Sequence, residues 1–169
     1  MKKAIKLPKV GARTIKTGIT VLLSSLISFL ILKRESAIIA SISGVICLQN
    51  SVEGSVSTGK NRITGTIFGA IIGFIFASLS RHIGNNELII SLIAGIGIVA
   101  TIYLCILFSI QDCISTACVM FLIIMMSISE SEWLVYSITR TIDTFVGVLV
   151  GITVNKYVLR DSFKKVKKG

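Results

Sequence analysis

The sequence predicts an all-α integral membrane protein, built as a bundle of six transmembrane helices. Of the 169 residues 53% are hydrophobic, only 15% are charged and one is proline. A water-soluble domain of this length has too small a core to bury so much apolar surface, so the lipid bilayer is its expected partner. The roughly 10-residue alternation of a membrane β-strand is absent, so the spans are expected to be helices, which satisfy their own backbone hydrogen bonds.

Six apolar runs approach the roughly 20 residues that a helix needs to cross about 30 Å of hydrocarbon. They cover residues 15–32, 37–52, 63–80, 88–110, 113–129 and 133–158. The first run follows several lysines, as in a secretory signal, but it lacks a small-x-small cleavage site, so we expect it to be retained. The chain then divides into a basic segment at 1–14, a six-helix domain at 15–158 and a basic tail at 159–169.

Basic residues cluster at both ends of the chain and set the expected orientation. The tail KKVKKG alone carries four lysines. Positive residues favour the cytoplasmic side, so both termini are expected in the cytoplasm of a multi-pass plasma-membrane protein. The loop ESEW at 130–133 fits the outer surface, whereas Lys33, Arg34, Arg81 and His82 fall in outer loops and argue against this orientation.

The net charge of +10 does not indicate nucleic-acid binding, because the basic residues lie at membrane edges and leave no room for a recognition fold. We expect these residues to attract anionic lipid headgroups. The four cysteines lack metal-ligand spacing, and the sequence contains no nucleotide loop or nucleophile triad. Neither an enzyme activity nor a metal or cofactor is therefore expected.

One phrase of the sequence occurs twice. NRITGTIFGAIIG at 61–73 and TRTIDTFVGVLVG at 139–151 share an arginine, a threonine and two glycines, each 78 positions apart. The same shift aligns whole spans and gives two three-helix units at about 13–80 and 91–158. Because three is odd, the second unit enters the membrane from the opposite side, so we expect inverted repeats of the kind many transporters use. Coincidence between two glycine-rich helices is the alternative.

Glycines recur at every fourth position of this phrase and leave a groove along one helix face. We expect them to pack helices closely at the bundle centre or at a subunit interface. They are Gly65, Gly69 and Gly73 in the third helix, and Gly147 and Gly151 in the sixth.

The repeated arginines, Arg62 and Arg140, are the leading candidates for a functional site. An arginine inside the hydrocarbon boundary costs several kcal/mol unless it finds a partner, water or a route to the headgroups. Asp143 lies three residues after Arg140 on the same helical face and predicts an ion pair, whereas Gly65 occupies the matching position after Arg62. For Arg62, snorkelling to the headgroups is the alternative.

Four further residues complete the predicted anion site. Lys16 and Lys60 are expected to attract anions at the cytoplasmic mouth, because a carboxylate in a low-dielectric region needs compensating positive charge. Thr66 and Thr144 lie one turn deeper than the arginines and either line the path or bond their own helix backbone.

Helices 2 and 5 are short, and LQNSVEGS at 48–55 interrupts the second of them. Short or broken segments at matching positions of two repeats point to a transport site. A short helix that meets an amphipathic linker at 51–62 on the membrane surface is the alternative.

The segment SAIIASISGVICLQNSVEGSVSTGKNRITGTIFGAIIG resembles the hallmark region of the aromatic acid exporter and fusaric-acid-resistance-like proteins. There a short helix ends in a break and leads into an Arg-x-x-Gly-Thr-x-x-Gly-x-x-x-Gly helix. YSITRTIDTFVGVLVGITVN resembles the closing helix of the same six-helix unit, and GARTIKTGIT its opening helix. Asn50 stands where that family commonly has proline, and many relatives continue into a cytoplasmic helical domain.

The resemblance covers nearly the whole chain and implies efflux of aromatic carboxylates. It also implies a distant similarity to plant malate-permeable anion channels, which are dimers with basic pore linings. We therefore expect a transporter or channel that moves organic anions outward, as a homo-oligomer with a dimer favoured. No ATP-binding motif is present, so uphill export would need an ion gradient or a partner. A non-transporting scaffold or interaction protein anchored by six helices is the alternative.

Overall fold

The computed structural model of the protein describes residues 11–31, 37–83, 86–127 and 133–166, and this part of the chain is helical without strands. Its helices are α1 (Ala12–Ile31), α2 (Ala37–Ile46), α3 (Val52–Ile83), α4 (Glu87–Leu107), α5 (Ile114–Ser127) and α6 (Trp133–Val166), and a 3-10 turn (Gln111–Cys113) precedes α5. The all-α, six-helix prediction is confirmed. Most of the predicted basic N-terminal segment, the end of the predicted tail and the loop at 130–132 lie outside the described residues.

Within the described residues, four helices are long and apolar enough to cross a membrane, namely α1, α3, α4 and α6. The other two contain 10 residues in α2 and 14 residues in α5. At 1.5 Å per residue these two helices reach about 15 and 21 Å, less than the thickness of the hydrocarbon layer. The short helices thus occur at the two places where the sequence predicts them.

The break between α2 and α3 lies earlier in the chain than the sequence predicts. α2 ends at Ile46, and α3 begins at Val52 rather than at 63. The cause is a helix cap, because the hydroxyl of Ser51 accepts a hydrogen bond of 3.0 Å from the backbone N–H of Gly54. Once capped there, the polar stretch 52–62 continues into the apolar stretch as one helix.

Buried apolar residues form two separate clusters. The larger joins α3, α4 and α5, and Phe76 meets Phe121 edge to face there, with ring centroids 5.8 Å apart. The smaller joins α6 to the end of α2 through Leu48, Val150 and Val154. The interior is therefore densely apolar on the α4 and α5 side and much less so beside α1.

Close glycine contacts fix the direction in which α3 and α5 run. A side chain at Gly65 would collide with Thr116, and one at Gly69 would overlap the carbonyl of Ala117. A side chain at Gly73 would press on Ile124. Residue numbers rise together on the two helices, so α3 and α5 are parallel.

The same kind of contact joins α6 to α2. A side chain at Gly147 would overlap the carbonyl of Ala40, and one at Gly151 would lie 2.6 Å from the carbonyl oxygen of Gly44. Numbers again rise together, so α2 and α6 are parallel. Each long glycine-notched helix is therefore paired with a short helix that runs in the same direction.

Candidate functional site

The site is positioned by the crossing of α3 and α6. Ser55 of α3 contacts Asn155 of α6, and Gly59 packs against Val148 and Ile152. Numbers fall on α6 as they rise on α3, so these two helices are antiparallel. This register brings the two repeated threonines to the same level, and it puts each repeated arginine about one turn from that level, on opposite sides of it.

Arg62 is half-buried between α3 and α2. Its Nη2 lies 3.4 Å from the hydroxyl oxygen of Ser43, a long hydrogen bond to a fully buried serine. Its Nε is buried and has no hydrogen-bond partner among the described residues. The guanidinium is thus held inside the bundle with unused donor capacity.

Arg140 is half-buried near the start of α6. Its guanidinium carbon lies 4.4 Å from the ring centroid of Tyr136, one turn earlier on the same helix. An aromatic face attracts a cation at this distance. The spacing of four residues is visible in the sequence, but this contact was not predicted.

Asp143 is fully buried on α6, and its Oδ1 accepts a hydrogen bond of 3.1 Å from the hydroxyl of Ser28 on α1. This contact, across 115 positions of sequence, ties α1 to α6 at the level of the repeated threonines. Ser28 was not among the predicted site residues.

Both threonines bond their own helix, one of the two options that the sequence leaves open. Thr66 donates to the carbonyl of Arg62 at 2.8 Å, and Thr144 donates to the carbonyl of Arg140 at 2.9 Å. Each hydroxyl keeps acceptor capacity but has its proton engaged. The matching bonds make the two phrases structurally alike at this level.

Lys60 lies apart from Arg62, on another face of α3. It is exposed and lines an open, polar cleft of about 480 Å³ between α3 and the connection from α4 to α5. The cleft is lined by Ser57, Lys60, Asn61, Thr64 and the residues from Ser109 to Cys113. Asp112 contributes a carboxylate to the same cleft, so its lining carries both signs of charge.

The wall of this cleft includes a tight helix end. Ser109 has a φ of 56°, the only positive value outside glycine among the described residues. The N–H of Ile110 donates to the carbonyl of Cys105 at 2.9 Å, and the N–H of Ser109 donates to that of Ile106 at 3.0 Å. This Schellman pattern satisfies the last carbonyls of α4 and turns the chain sharply toward α5.

Lys16 is only 9% exposed, on the face of α1 that packs against α2 and α6. The sequence predicts it as an attractor of anions at the cytoplasmic mouth. The structure adds that its neighbours on this face are three fully buried hydroxyl residues, Thr20, Ser24 and Ser28.

Asn155 of α6 binds the residues of the α2–α3 break and was not among the predicted site residues. Its side-chain nitrogen donates to the carbonyl of Gln49 at 2.8 Å and to the Ser55 hydroxyl at 2.6 Å, with the carbonyl of Ser51 at 3.2 Å. The residue is 1% exposed. A lone asparagine in the apolar stretch GITVNKY is the signal in the sequence that points to it.

An all-helical bundle with apolar outward faces and basic side chains packed between its helices defines a multi-pass membrane protein. Leu30, Leu88 and Leu92 are 78%, 77% and 70% exposed, as lipid-facing residues are. The chain belongs to the aromatic acid exporter family, since the family profile described as aromatic acid exporter family member 1 matches residues 8–158.

Two similar bacterial proteins are designated UPF0421 proteins. The chain is 28% identical over 156 residues to a UPF0421 protein of Oceanobacillus iheyensis, covering 92% of this chain and 42% of that one. It is 29% identical over 147 residues to UPF0421 protein YgaE of Bacillus subtilis, covering 87% of this chain and 39% of that one. The chain thus spans about two fifths of the length of these relatives. No solved structure matches it.

Proposed function

We propose that this chain forms the membrane path of an exporter of organic anions, with aromatic carboxylates as the substrate class. The observation that carries the proposal is Arg62, a guanidinium inside the bundle whose described hydrogen bond is a long one to Ser43. A buried cation with unused donors is costly in a lipid-embedded protein unless an anion or water visits it. The family name supports the substrate class.

The helix contacts support a two-unit, inverted arrangement of this path. Gly69 meets Ala117, and the shift of 78 then predicts that Gly147 meets residue 39. The observed contact is with Ala40, one residue away, and the parallel pairing of α3 with α5 matches that of α6 with α2. With α3 and α6 antiparallel, the pseudo-two-fold axis passes at the level of Thr66 and Thr144.

In this arrangement the two arginines flank the axis on the two sides of the membrane centre. Each lies four residues from the central threonine of its helix, so at 1.5 Å per residue they are about 12 Å apart along the bundle axis. A carboxylate that moves from Arg62 to Arg140 therefore stays close to a positive charge. The Lys60 cleft, at the same end of α3 as the α2–α3 break, serves as a cytoplasmic vestibule.

The test is benzoate flux in proteoliposomes made with the wild-type chain and single variants. We expect Arg62→Gln and Arg140→Gln to reduce flux by roughly tenfold or more, since each removes a charge that solvates the anion. Lys156→Gln, which removes an exposed charge on α6, is the matched control and is expected to retain flux.

Wild-type flux equal to that of empty liposomes, in a protein that folds and inserts, would contradict transport and favour a membrane scaffold. Flux that responds equally to all three substitutions would contradict the assigned role of the arginines. Arg62→Lys separates charge from shape, because a point charge in place of the planar guanidinium is expected to restore part of the flux.

A further inference from the structure

A line of polar residues follows the buried side of α1, one residue per turn. Lys16, Thr20, Ser24 and Ser28 are spaced four apart, and the three hydroxyl residues have no exposed surface. We call this line the α1 polar face. At 1.5 Å per residue it is about 18 Å long. It runs from the level of the α2–α3 break to the level of the central threonines.

Two hydroxyls of this face lack hydrogen-bond partners. Within the described residues, neither Thr20 Oγ1 nor Ser24 Oγ has a partner, although both atoms are buried. Serine and threonine in apolar helices usually bond the carbonyl one turn earlier, as Thr17, Thr66, Thr101 and Thr144 do here. A buried unpaired hydroxyl costs about 1–3 kcal/mol, so two on one face need an explanation.

Packing alone does not explain them, because the second unit packs differently. In the second unit α4 is the counterpart of α1, and its buried residues are Ala94, Gly97, Thr101 and Cys105. The one hydroxyl among them donates to the carbonyl of Gly97 at 2.7 Å. The same position in the fold is thus filled without a lysine and without unpaired donors.

We propose that the α1 polar face is the binding site for the carboxylate group of the substrate on its way from the cytoplasmic mouth to the membrane centre. This inference rests on the proposed function. The unpaired groups are hydrogen-bond donors beside a lysine, and an ionised carboxylate is an acceptor only, with about four lone-pair positions. Lys16, on the same face of α1, supplies a positive charge for that carboxylate.

The inner end of the face defines where binding stops. Ser28 donates to the buried carboxylate of Asp143 at 3.1 Å, so its proton is already engaged. The Ser28 hydroxyl therefore offers no donor to an incoming carboxylate, and the two arginines lie on either side of this level. Lys16, Thr20 and Ser24 therefore form the site, and Ser28 with Asp143 closes it.

In the structure the site is shut by α2. A side chain at Gly44 would lie 2.8 Å from both Ser24 Oγ and Thr20 Cγ2, so the α2 backbone rests directly on the α1 polar face. Binding requires α1 to separate from α2 at this glycine. Unpaired hydroxyls lower the cost of that separation, because water or a carboxylate satisfies them once the helices part.

The first experiment measures access by cysteine labelling with a small anionic methanethiosulfonate. Thr20→Cys and Ser24→Cys are compared with Thr101→Cys, an equally buried threonine of α4, and peptide mass spectrometry reads each cysteine separately. We expect rapid labelling at 20 and 24, slow labelling at 101 and at the native Cys105, and protection of 20 and 24 by benzoate but not by neutral benzamide. Equal labelling on both helices, or equal protection by benzamide, would overturn the proposal.

The second experiment keeps the shape of the face and removes its donors. Thr20→Val with Ser24→Ala is expected to raise the half-saturating benzoate concentration by roughly tenfold or more, because hydrogen bonds to charged groups are the stronger ones. Thr101→Val is the control and is expected to leave that concentration unchanged. An unchanged value in the α1 double variant would assign the face to packing only.

The experiments distinguish failure of the α1 carboxylate site from failure of the proposed transport function. Benzoate flux without labelling at 20 and 24 would overturn the α1 site and leave the transport function in place. Labelling with benzoate protection in a chain that shows no flux would leave the carboxylate site and remove the transport function.

Discussion

A single amide organises the break between α2 and α3. From a buried position on α6, Asn155 donates hydrogen bonds to the Gln49 carbonyl and the Ser55 hydroxyl, and its side-chain nitrogen also lies 3.2 Å from the carbonyl of Ser51. The Ser55 hydroxyl in turn lies 3.2 Å from the N–H of Gln49 and accepts from it. The break is therefore a defined structure rather than a loose linker.

Replacing this amide gives a local prediction. Asn155→Ala removes the amide that donates to the Gln49 carbonyl and to the buried Ser55 hydroxyl, so we expect a loss of about 1–3 kcal/mol in the free energy of unfolding. Backbone amides at 49–55 are also expected to exchange hydrogen faster in detergent, with α4 unchanged, as measured by mass spectrometry. Asn61→Ala, in the Lys60 cleft, is the control, and unchanged exchange at 49–55 would contradict the assigned role.

At the residue scale, the sequence narrows the choice of partners only where they are close in the chain. The bonds of Thr66 and Thr144 to carbonyls four residues earlier were one of two options left open, and the contact of Arg140 with Tyr136, also four residues apart, was not predicted. Asn155 pairs with residues about 100 positions away, and Asp143 pairs with Ser28 across 115 positions. A single sequence does not show which residues far apart in the chain lie close together in space. The contacts of Asn155 and of Ser28 could therefore not be predicted.

Close helix pairs depend on glycine at the points where backbones meet. At Gly147 an added methyl group would overlap the carbonyl of Ala40 and press on Ser43. At Gly95 of α4 the same methyl group would meet nothing within 4 Å. Gly147 is therefore a tightly packed test position, and Gly95 is a control position with open space on another helix of the same bundle.

Gly147→Ala is expected to destabilise the fold by about 1–3 kcal/mol, because α2 must move away from α6 to admit the methyl group. Gly95→Ala is expected to be neutral or to stabilise by up to about 1 kcal/mol, since alanine favours helix. Unfolding in detergent by urea measures both. Equal effects of the two substitutions would show that the α2–α6 contact is not the tight one.

Helix boundaries were harder to predict than helix existence. The six runs of apolar residues correspond to the six helices, but the N-terminal third of α3 is polar and carries no apolar period. Its helical state depends on the Ser51 cap and on Asn155, which are tertiary and capping features. Hydropathy measures the transfer of residues to lipid, so it detects neither a helix cap nor a tertiary hydrogen bond.

The antiparallel crossing of α3 and α6 gives a prediction for the whole bundle. Thr66 lies two turns beyond Gly59 on the face that packs against α6, and Thr144 lies one turn before Val148 on the face that packs against α3. A Thr66→Cys, Thr144→Cys double variant is therefore expected to cross-link with a short bifunctional thiosulfonate. Thr66→Cys with Ile142→Cys, an exposed position, is the control, and equal yields would contradict the crossing.

The proposed repeat predicts two equal units, but the residues packed beside α1 differ from those packed beside α4 and α5. Beside α4 and α5 the interior is filled by aromatic and aliphatic side chains such as Phe76 and Phe121. Beside α1 it is filled by hydroxyls, a lysine and a carboxylate. The spacing of four between Lys16, Thr20, Ser24 and Ser28 is present in the sequence, but which face of α1 is buried is decided by its packing against α2 and α6.

The α1 polar face also bears on how the chain is made. α1 is the least hydrophobic of the four long spans, and its polar residues meet their protein neighbours on α2 and α6. Before α2 and α6 pack against it, α1 exposes a lysine and three hydroxyls to lipid. Each of these groups opposes the transfer of the helix from the translocon into the bilayer. α1 therefore becomes fully packed only after α6, which lies more than 100 residues later in the chain, has been synthesised and has packed against it.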